Sequence, residues 1–151
     1  MSKKFLVAVD GSDHSWKALD LAAKLANLSD AELVILHVVP YEPIPDALKQ
    51  FAKSEGIPLE EEDARFHSGR KVGDRIASEA EARARKVGLE RVTALVIEGN
   101  AAEEISTMAE TDGMEMLFLG SRGLSDVSAM LMGSVSHKVL HLAPCTCVVV
   151  K

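Results

Sequence analysis

The chain has 151 residues, 47% of them hydrophobic and 26% charged, with 10 Gly and 5 Pro, a mixture that suits one folded domain and excludes disordered, collagen-like and low-complexity architectures. The 17 Lys and Arg against 23 Asp and Glu leave a formal net charge of -6, which repels phosphate backbones and argues against general nucleic-acid binding while leaving room for a small anion in a local pocket. No run reaches the ~18 apolar residues of a membrane helix, so no membrane insertion is expected. Asp10 interrupts the apolar start before a secretory segment develops, and no signal peptide is expected either.

Five short apolar runs follow one another: Phe5 to Val9, Leu33 to Val39, Val92 to Ile97, Met114 to Leu119 and Cys145 to Val150. They are near-continuous in Val, Leu and Ile, which predicts parallel strands buried on both faces. Between them lie stripes at helical spacing. Leu19, Ala22, Ala23 and Ala26 form the first; Ile76, Ala80, Ala84 and Val87 the second; Ile105, Met108 and Ala109 the third; Val135, Val139 and Leu142 the fourth. Ser12 or Asp13 can cap the first helix and Asn100 the third, whose first turn carries Glu103 and Glu104. Gly88 and Gly113 fall where left-handed helix ends belong, and Pro144 separates the last helix from the last strand. The order β-α-β-α-β-α-β-α-β predicts a single α/β domain over 1–151, an open doubly wound five-stranded parallel sheet with helices on both faces.

The stretch 40–68 departs from this rhythm. It holds Pro40, Pro43, Pro45 and Pro58, then Glu60 to Asp63, and reads as an exposed excursion with a short helix over Asp46 to Lys53. Cys145 and Cys147 are too close in sequence for an unstrained bridge, and free, mostly buried thiols in a reducing cytosol are expected.

In such sheets ligands bind beyond the carboxyl ends of the strands, where strand order reverses. The segments there are Asp10-Gly11-Ser12, His37-Val38-Val39, Glu98-Gly99-Asn100 and Gly120-Ser121-Arg122-Gly123. The last is the richest: Gly120, Gly123 and Gly133 are spaced G-x2-G-x9-G, with Ser134 immediately after. Glycines let a backbone approach a phosphate chain closely. The N–H groups of Gly133, Ser134, Val135 and Ser136 would open a helix N-terminus, which favours negative charge. The hydroxyls of Ser121, Ser134 and Ser136 add donors, Arg122 is the cation of the loop, and Lys138 lies one turn on. Arg122 is equally suited to touching phosphate or to solvation. Asp10, at a strand's carboxyl end, is placed to accept ribose hydroxyls, or to serve as a helix N-cap beside Ser12. His37 reads as a packed histidine, and His137 and His141, four apart, as surface residues rather than a metal pair.

With the opening Val7-Ala8-Val9-Asp10-Gly11-Ser12, the strand end Leu36-His37-Val38-Val39 and the final Ala143-Pro144-Cys145, these motifs make the sequence similar to the universal stress protein family across essentially its whole length. The resemblance implies a Rossmann-like sheet of the adenine nucleotide alpha-hydrolase type in the order 3-2-1-4-5. It further implies a cytoplasmic ATP-binding stress-response protein, usually a homodimer, without well-defined catalytic activity, and places this sequence in the branch that keeps the glycine motif. By matching position, Asp10 would hold the ribose hydroxyls and the backbones of Val9 and Val38 would meet adenine. Gly120, Ser121, Gly123, Gly133, Ser134, Val135 and Ser136 would line the ribose and phosphates. Mg²⁺ would accompany ATP (or ADP), held chiefly by phosphate oxygens and waters.

Other nucleotide and hydrolase motifs fail. Gly133-Ser134 lacks the Walker lysine, the first strand lacks G-x-G-x-x-G, the third strand ends in Glu98-Gly99 rather than a phosphoacceptor aspartate, and no G-x-S-x-G is present. Two readings stand. One is a regulatory module whose nucleotide occupancy sets its conformation, its dimer or its contact with an unidentified protein partner. The other is a slow Mg-dependent ATP hydrolase or self-phosphorylating protein, for which Asp126, next to Ser125, is the candidate loop acid. In the implied order the last strand is an edge. Cys145 to Val150 has neither charge nor proline, so pairing of two copies through it is expected.

Overall fold

The computed structural model describes residues 2–40, 46–57, 67–123 and 132–151. Its elements run β1 (Lys4–Ala8), α1 (Asp13–Ser29), β2 (Glu32–Val39), α2 (Asp46–Ser54), α3 (His67–Lys86), β3 (Val92–Glu98), α4 (Ala101–Thr111), β4 (Met116–Gly120), α5 (Ser134–Leu142) and β5 (Thr146–Val150). All five strands are parallel, in the order β3-β2-β1-β4-β5. The fold is therefore the doubly wound α/β sheet that the apolar runs predict. Of the 40–68 excursion, the short helix α2 is present, while 41–45 and 58–66 lie outside the described residues. Ser125 and Asp126 do too.

Strand alternation divides the core into two layers. Phe5, Val7, Leu33, Ile35 and Phe118 point to the side covered by α1 and α3, where they meet Leu19, Ala22, Ala23, Ile76 and Ala80. Leu6, Val34, Leu36, Leu117 and Leu119 point to the other side and pack on Ile105 and Ala109 of α4 and Val139 of α5. Phe118 is fully buried and tilts against Phe5 with ring centroids 5.8 Å apart. Its truncation to Ala would cost about 3–5 kcal/mol.

The helix ends follow their local chemistry. Ser12 caps α1, its hydroxyl accepting the Ser15 N–H at 3.2 Å, and Asn100 caps α4 by accepting the Glu103 N–H at 3.1 Å. Gly88 and Gly113 have φ of 93° and 64°, the left-handed conformation that β-carbons disfavour. Asp30 ends α1 in the same region, held by Arg91 at 2.7 Å.

Three expectations need correction. Strand β3 is not buried on both faces: it is an edge strand, α3 covers one side, and Thr93 and Leu95 on the other are exposed. The stripe on α5 is not a buried face either. Val139 is buried, but Val135 is 39% and Leu142 53% exposed, because this nine-residue helix meets the core along one narrow side. Val87 is likewise exposed, lying beyond the last residue of α3. Cys145 and Cys147 are free and half-buried; burial pushes both thiols above their ordinary values.

Candidate functional site

Because β1 connects onward to β2 while β4 lies on its other side, the chain reverses direction across the sheet between β1 and β4. At the carboxyl ends of these strands lies a cavity of about 210 Å³. Val9 and Asp10 after β1, Val38 on β2, Gly120, Arg122 and Gly123 after β4, and Ser134, Val135 and Ser136 on α5 all line it. Leu36, Leu48, Ala101, Ile105 and Leu119 supply apolar walls. Two residues singled out by the sequence, Ser121 and Gly133, are not among those lining it.

Both of them instead join the glycine loop to its surroundings. Ser121 is buried, its N–H donates to the Val150 carbonyl at 2.7 Å, and its carbonyl accepts the Gly133 N–H at 2.6 Å. Its hydroxyl lies 2.7 Å from His14 Nδ1. The Gly133 N–H is thus already used, which corrects the expectation that it joins the open donors of the helix. The first intrahelical bond of α5 runs from the His137 N–H to the Gly133 carbonyl, so the N–H groups of Ser134, Val135 and Ser136 precede the ladder, as donors of a first turn do. The N-cap residue itself, Gly133, makes no side-chain cap bond at this end. The Ser136 hydroxyl donates to the Gly120 carbonyl, pinning helix to loop.

On the opposite wall, Asp10 Oδ1 accepts the Ser12 N–H at 2.9 Å. The aspartate thereby supports the turn into α1 and lines the cavity as well. Ser12 donates its hydroxyl to the Arg122 carbonyl at 3.3 Å, linking that turn to the glycine loop. Gly120 is obligatory for steric reasons: a β-carbon there would stand 2.8 Å from the backbone of His14 and Ser15.

The backbone of β2 provides the most directional feature. The Leu36 carbonyl accepts the Val9 N–H at 2.9 Å on the β1 side, and the Val39 carbonyl accepts the Gly99 N–H at 2.9 Å on the β3 side. Alternate residues of a strand present their polar groups to the same side, so Val38, like Leu36, faces β1. The paired register with β1 ends at Ala8 and Leu36. The N–H and C=O of Val38 therefore face the gap beyond that end, and Val38 lines the cavity. The backbone of Val9, by contrast, is engaged at both groups: its N–H by Leu36, its carbonyl by His37 Nδ1 at 2.8 Å.

His37 is packed as the sequence suggests, and what the sequence does not reveal is its bond to the Val9 carbonyl. It is 3% exposed and also lines the cavity. Burial pushes its pKa below 6.5, opposed by the Val9 bond and the charges of Asp10 and Asp74. His137 and His141 stack edge to face at 4.8 Å on α5, and no group of three metal-binding side chains converges among the described residues.

The universal stress protein family model matches residues 1–151. This chain belongs to the universal stress protein family. It is 38% identical over 154 residues to the universal stress protein YxiE of Bacillus subtilis, each chain covered in full. Among solved structures, a universal stress protein in complex with cAMP is similar with a TM-score of 0.72 and 24% identity, over 99% of this chain and 97% of that one. Another, from Archaeoglobus fulgidus in complex with dAMP, gives 0.67 and 19%, over 100% and 98%. At these identities the two structures establish that this universal stress protein shares their fold.

Proposed function

We propose that this universal stress protein binds an adenine nucleotide, ATP or ADP with Mg²⁺, in the cavity at the carboxyl ends of β1, β2 and β4, and acts as a regulatory module of the cytoplasm. The observation that carries this reading is the Val38 backbone, whose N–H and C=O face the cavity past the end of the β1 ladder. One donor beside one acceptor suits adenine, whose ring N1 accepts and whose 6-amino group donates. Guanine presents the opposite polarity at those positions and would leave both backbone groups unpaired. The cAMP and dAMP complexes of its relatives support the same base.

The remaining groups suit the rest of such a ligand. Asp10 would accept the ribose hydroxyls. The glycine loop, with Gly120 and Gly123, allows close approach of phosphates, and the N–H groups of Ser134, Val135 and Ser136 with the Ser134 hydroxyl would hold them. Arg122 lines the cavity and supplies a cation. Ser121 and Gly133 would act one step removed, by fixing the loop. Mg²⁺ would rest on phosphate oxygens and waters rather than on a carboxylate cluster. Slow hydrolysis or self-phosphorylation calls on Asp126, outside the described residues, and no described side chain favours it over binding.

A homodimer through β5 is part of the same proposal. The strand is one of the two edges of the sheet, and a second copy would pair its outer side. An unidentified protein partner would then read the occupied dimer.

The test is to denature freshly purified protein and identify the released nucleotide by chromatography and mass spectrometry, beside titration with ATP and GTP. Retained ATP or ADP, or selective ATP binding, supports the reading. Neither retention nor a thermal shift with Mg-ATP would reject it.

A further inference from the structure

One rung of the β1–β2 ladder is missing where a regular parallel pair would make it. After the Val9 N–H has donated to the Leu36 carbonyl, the next bond in sequence would run from the Val38 N–H to the Val9 carbonyl. Among the described residues that bond is absent, and the Val9 carbonyl instead accepts from His37 Nδ1. We infer that His37 is a positioning residue that draws the Val9 carbonyl out of the ladder and so keeps the Val38 N–H open to a ligand.

Three features of its surroundings fit this role. A carbonyl can only accept, so the proton of the imidazole sits on Nδ1 and the ring is a donor to Val9. That choice leaves Nε2 buried without a hydrogen-bond partner among the described residues. An apolar side chain would fill the same core position without an orphaned acceptor, so packing alone does not explain a histidine here. Space for the ring is also specifically provided: Gly73 of α3 faces it, and a β-carbon there would come 2.8 Å from His37 Cδ2. Of the charged groups around the ring, Asp10 follows β1 and Asp74 sits on α3. Neither takes over the Val9 carbonyl, since carboxylates cannot donate to it.

The use of the opened N–H for a base rests on the adenine-nucleotide reading; the effect on the ladder does not. The experiment therefore measures both, in wild type, His37→Leu and His37→Asn. Asparagine is the conservative variant because its amide nitrogen stands at the same bond distance from the backbone as Nδ1. Amide hydrogen exchange at Val38 is followed by NMR without nucleotide, and ATP binding by calorimetry. In the wild type, Val38 should exchange faster than Leu36 and become protected by ATP. In His37→Leu the Val9 carbonyl should return to the ladder, protecting Val38 without nucleotide and weakening ATP binding about 5- to 10-fold, as expected for one lost hydrogen bond. His37→Asn should restore fast exchange and most of the affinity. Equal Val38 exchange in the wild type and His37→Leu would overturn the inference, even with ATP bound normally. Absence of ATP binding in the wild type, with the exchange difference intact, would overturn the nucleotide reading and support the role of His37 in the ladder.

Discussion

The α-carbon of Gly120 packs so closely against α1 that a methyl group on it would stand 2.8 Å from both the β-carbon and the carbonyl carbon of His14. The end of β4 and the first turn of α1 are thereby brought into direct backbone contact, and the glycine loop leaves the sheet from this point. Gly120→Ala should push the two apart, costing about 1–3 kcal/mol of stability and abolishing nucleotide retention. Urea unfolding, together with analysis of released nucleotide, checks both. A variant with wild-type stability would show that α1 can yield without cost.

Ser121 and Ser134 share a side chain but not a setting. Ser121 is buried against His14, whereas Ser134 is exposed at the start of α5 and lines the cavity. Ser121→Ala should lower stability by about 1 kcal/mol, while Ser134→Ala should leave it within about 0.5 kcal/mol and weaken ATP several-fold. Unfolding curves and calorimetry on the two variants separate these effects. The opposite pattern would place the phosphates against Ser121.

His37 also makes stability depend on pH in a definite direction. Its folded pKa lies below 6.5, so as pH falls the unfolded chain takes up the proton first. The unfolded state then binds more protons, and stability rises with pH in that window. The contribution is complete above pH 6.5 and is lost as pH falls from there through the lowered folded value. The melting temperature should therefore drop more steeply between pH 7 and pH 5 (about the range of histidine titration) in the wild type than in His37→Leu. Parallel curves would mean that the imidazole is not held neutral.

Val149 offers a clean probe of the proposed dimer. The Val150 carbonyl accepts from the Ser121 N–H on the β4 side, so Val149, one residue earlier, presents its N–H to the open edge. Val149→Pro therefore removes an edge donor without removing a β4–β5 bond. The variant should sediment as a monomer while still folding. An unchanged sedimentation coefficient beside a dimeric wild type would exclude this strand as the interface.

The sheet and its crossovers are legible in the sequence because periodicity and helix ends are local properties. Ser12, Asn100, Gly88 and Gly113 stand at the boundaries that their chemistry predicts. What depends on neighbours is not legible. Whether Leu95 is covered depends on where α4 lies, and whether Val135 is buried depends on the face α5 turns inward. The site divides in the same way. Glycine spacing reveals the loop, but it does not tell that Ser121 bonds His14 or that Gly133 spends its N–H on Ser121. His37 reads as an ordinary packed residue until the registers of β1 and β2 are laid side by side, since the carbonyl it holds is 28 positions away.

The bond between the Ser121 N–H and the Val150 carbonyl has a practical corollary for anyone attaching a label or a fusion partner. In a parallel sheet every strand finishes at the same end, so a segment joined after Lys151 departs beside the glycine loop and next to the open edge of β5. One joined ahead of Lys4 departs from the far end of the sheet. A fluorophore at the former position would sense the loop at short range and could obstruct the edge, whereas an affinity handle at the latter would leave both undisturbed.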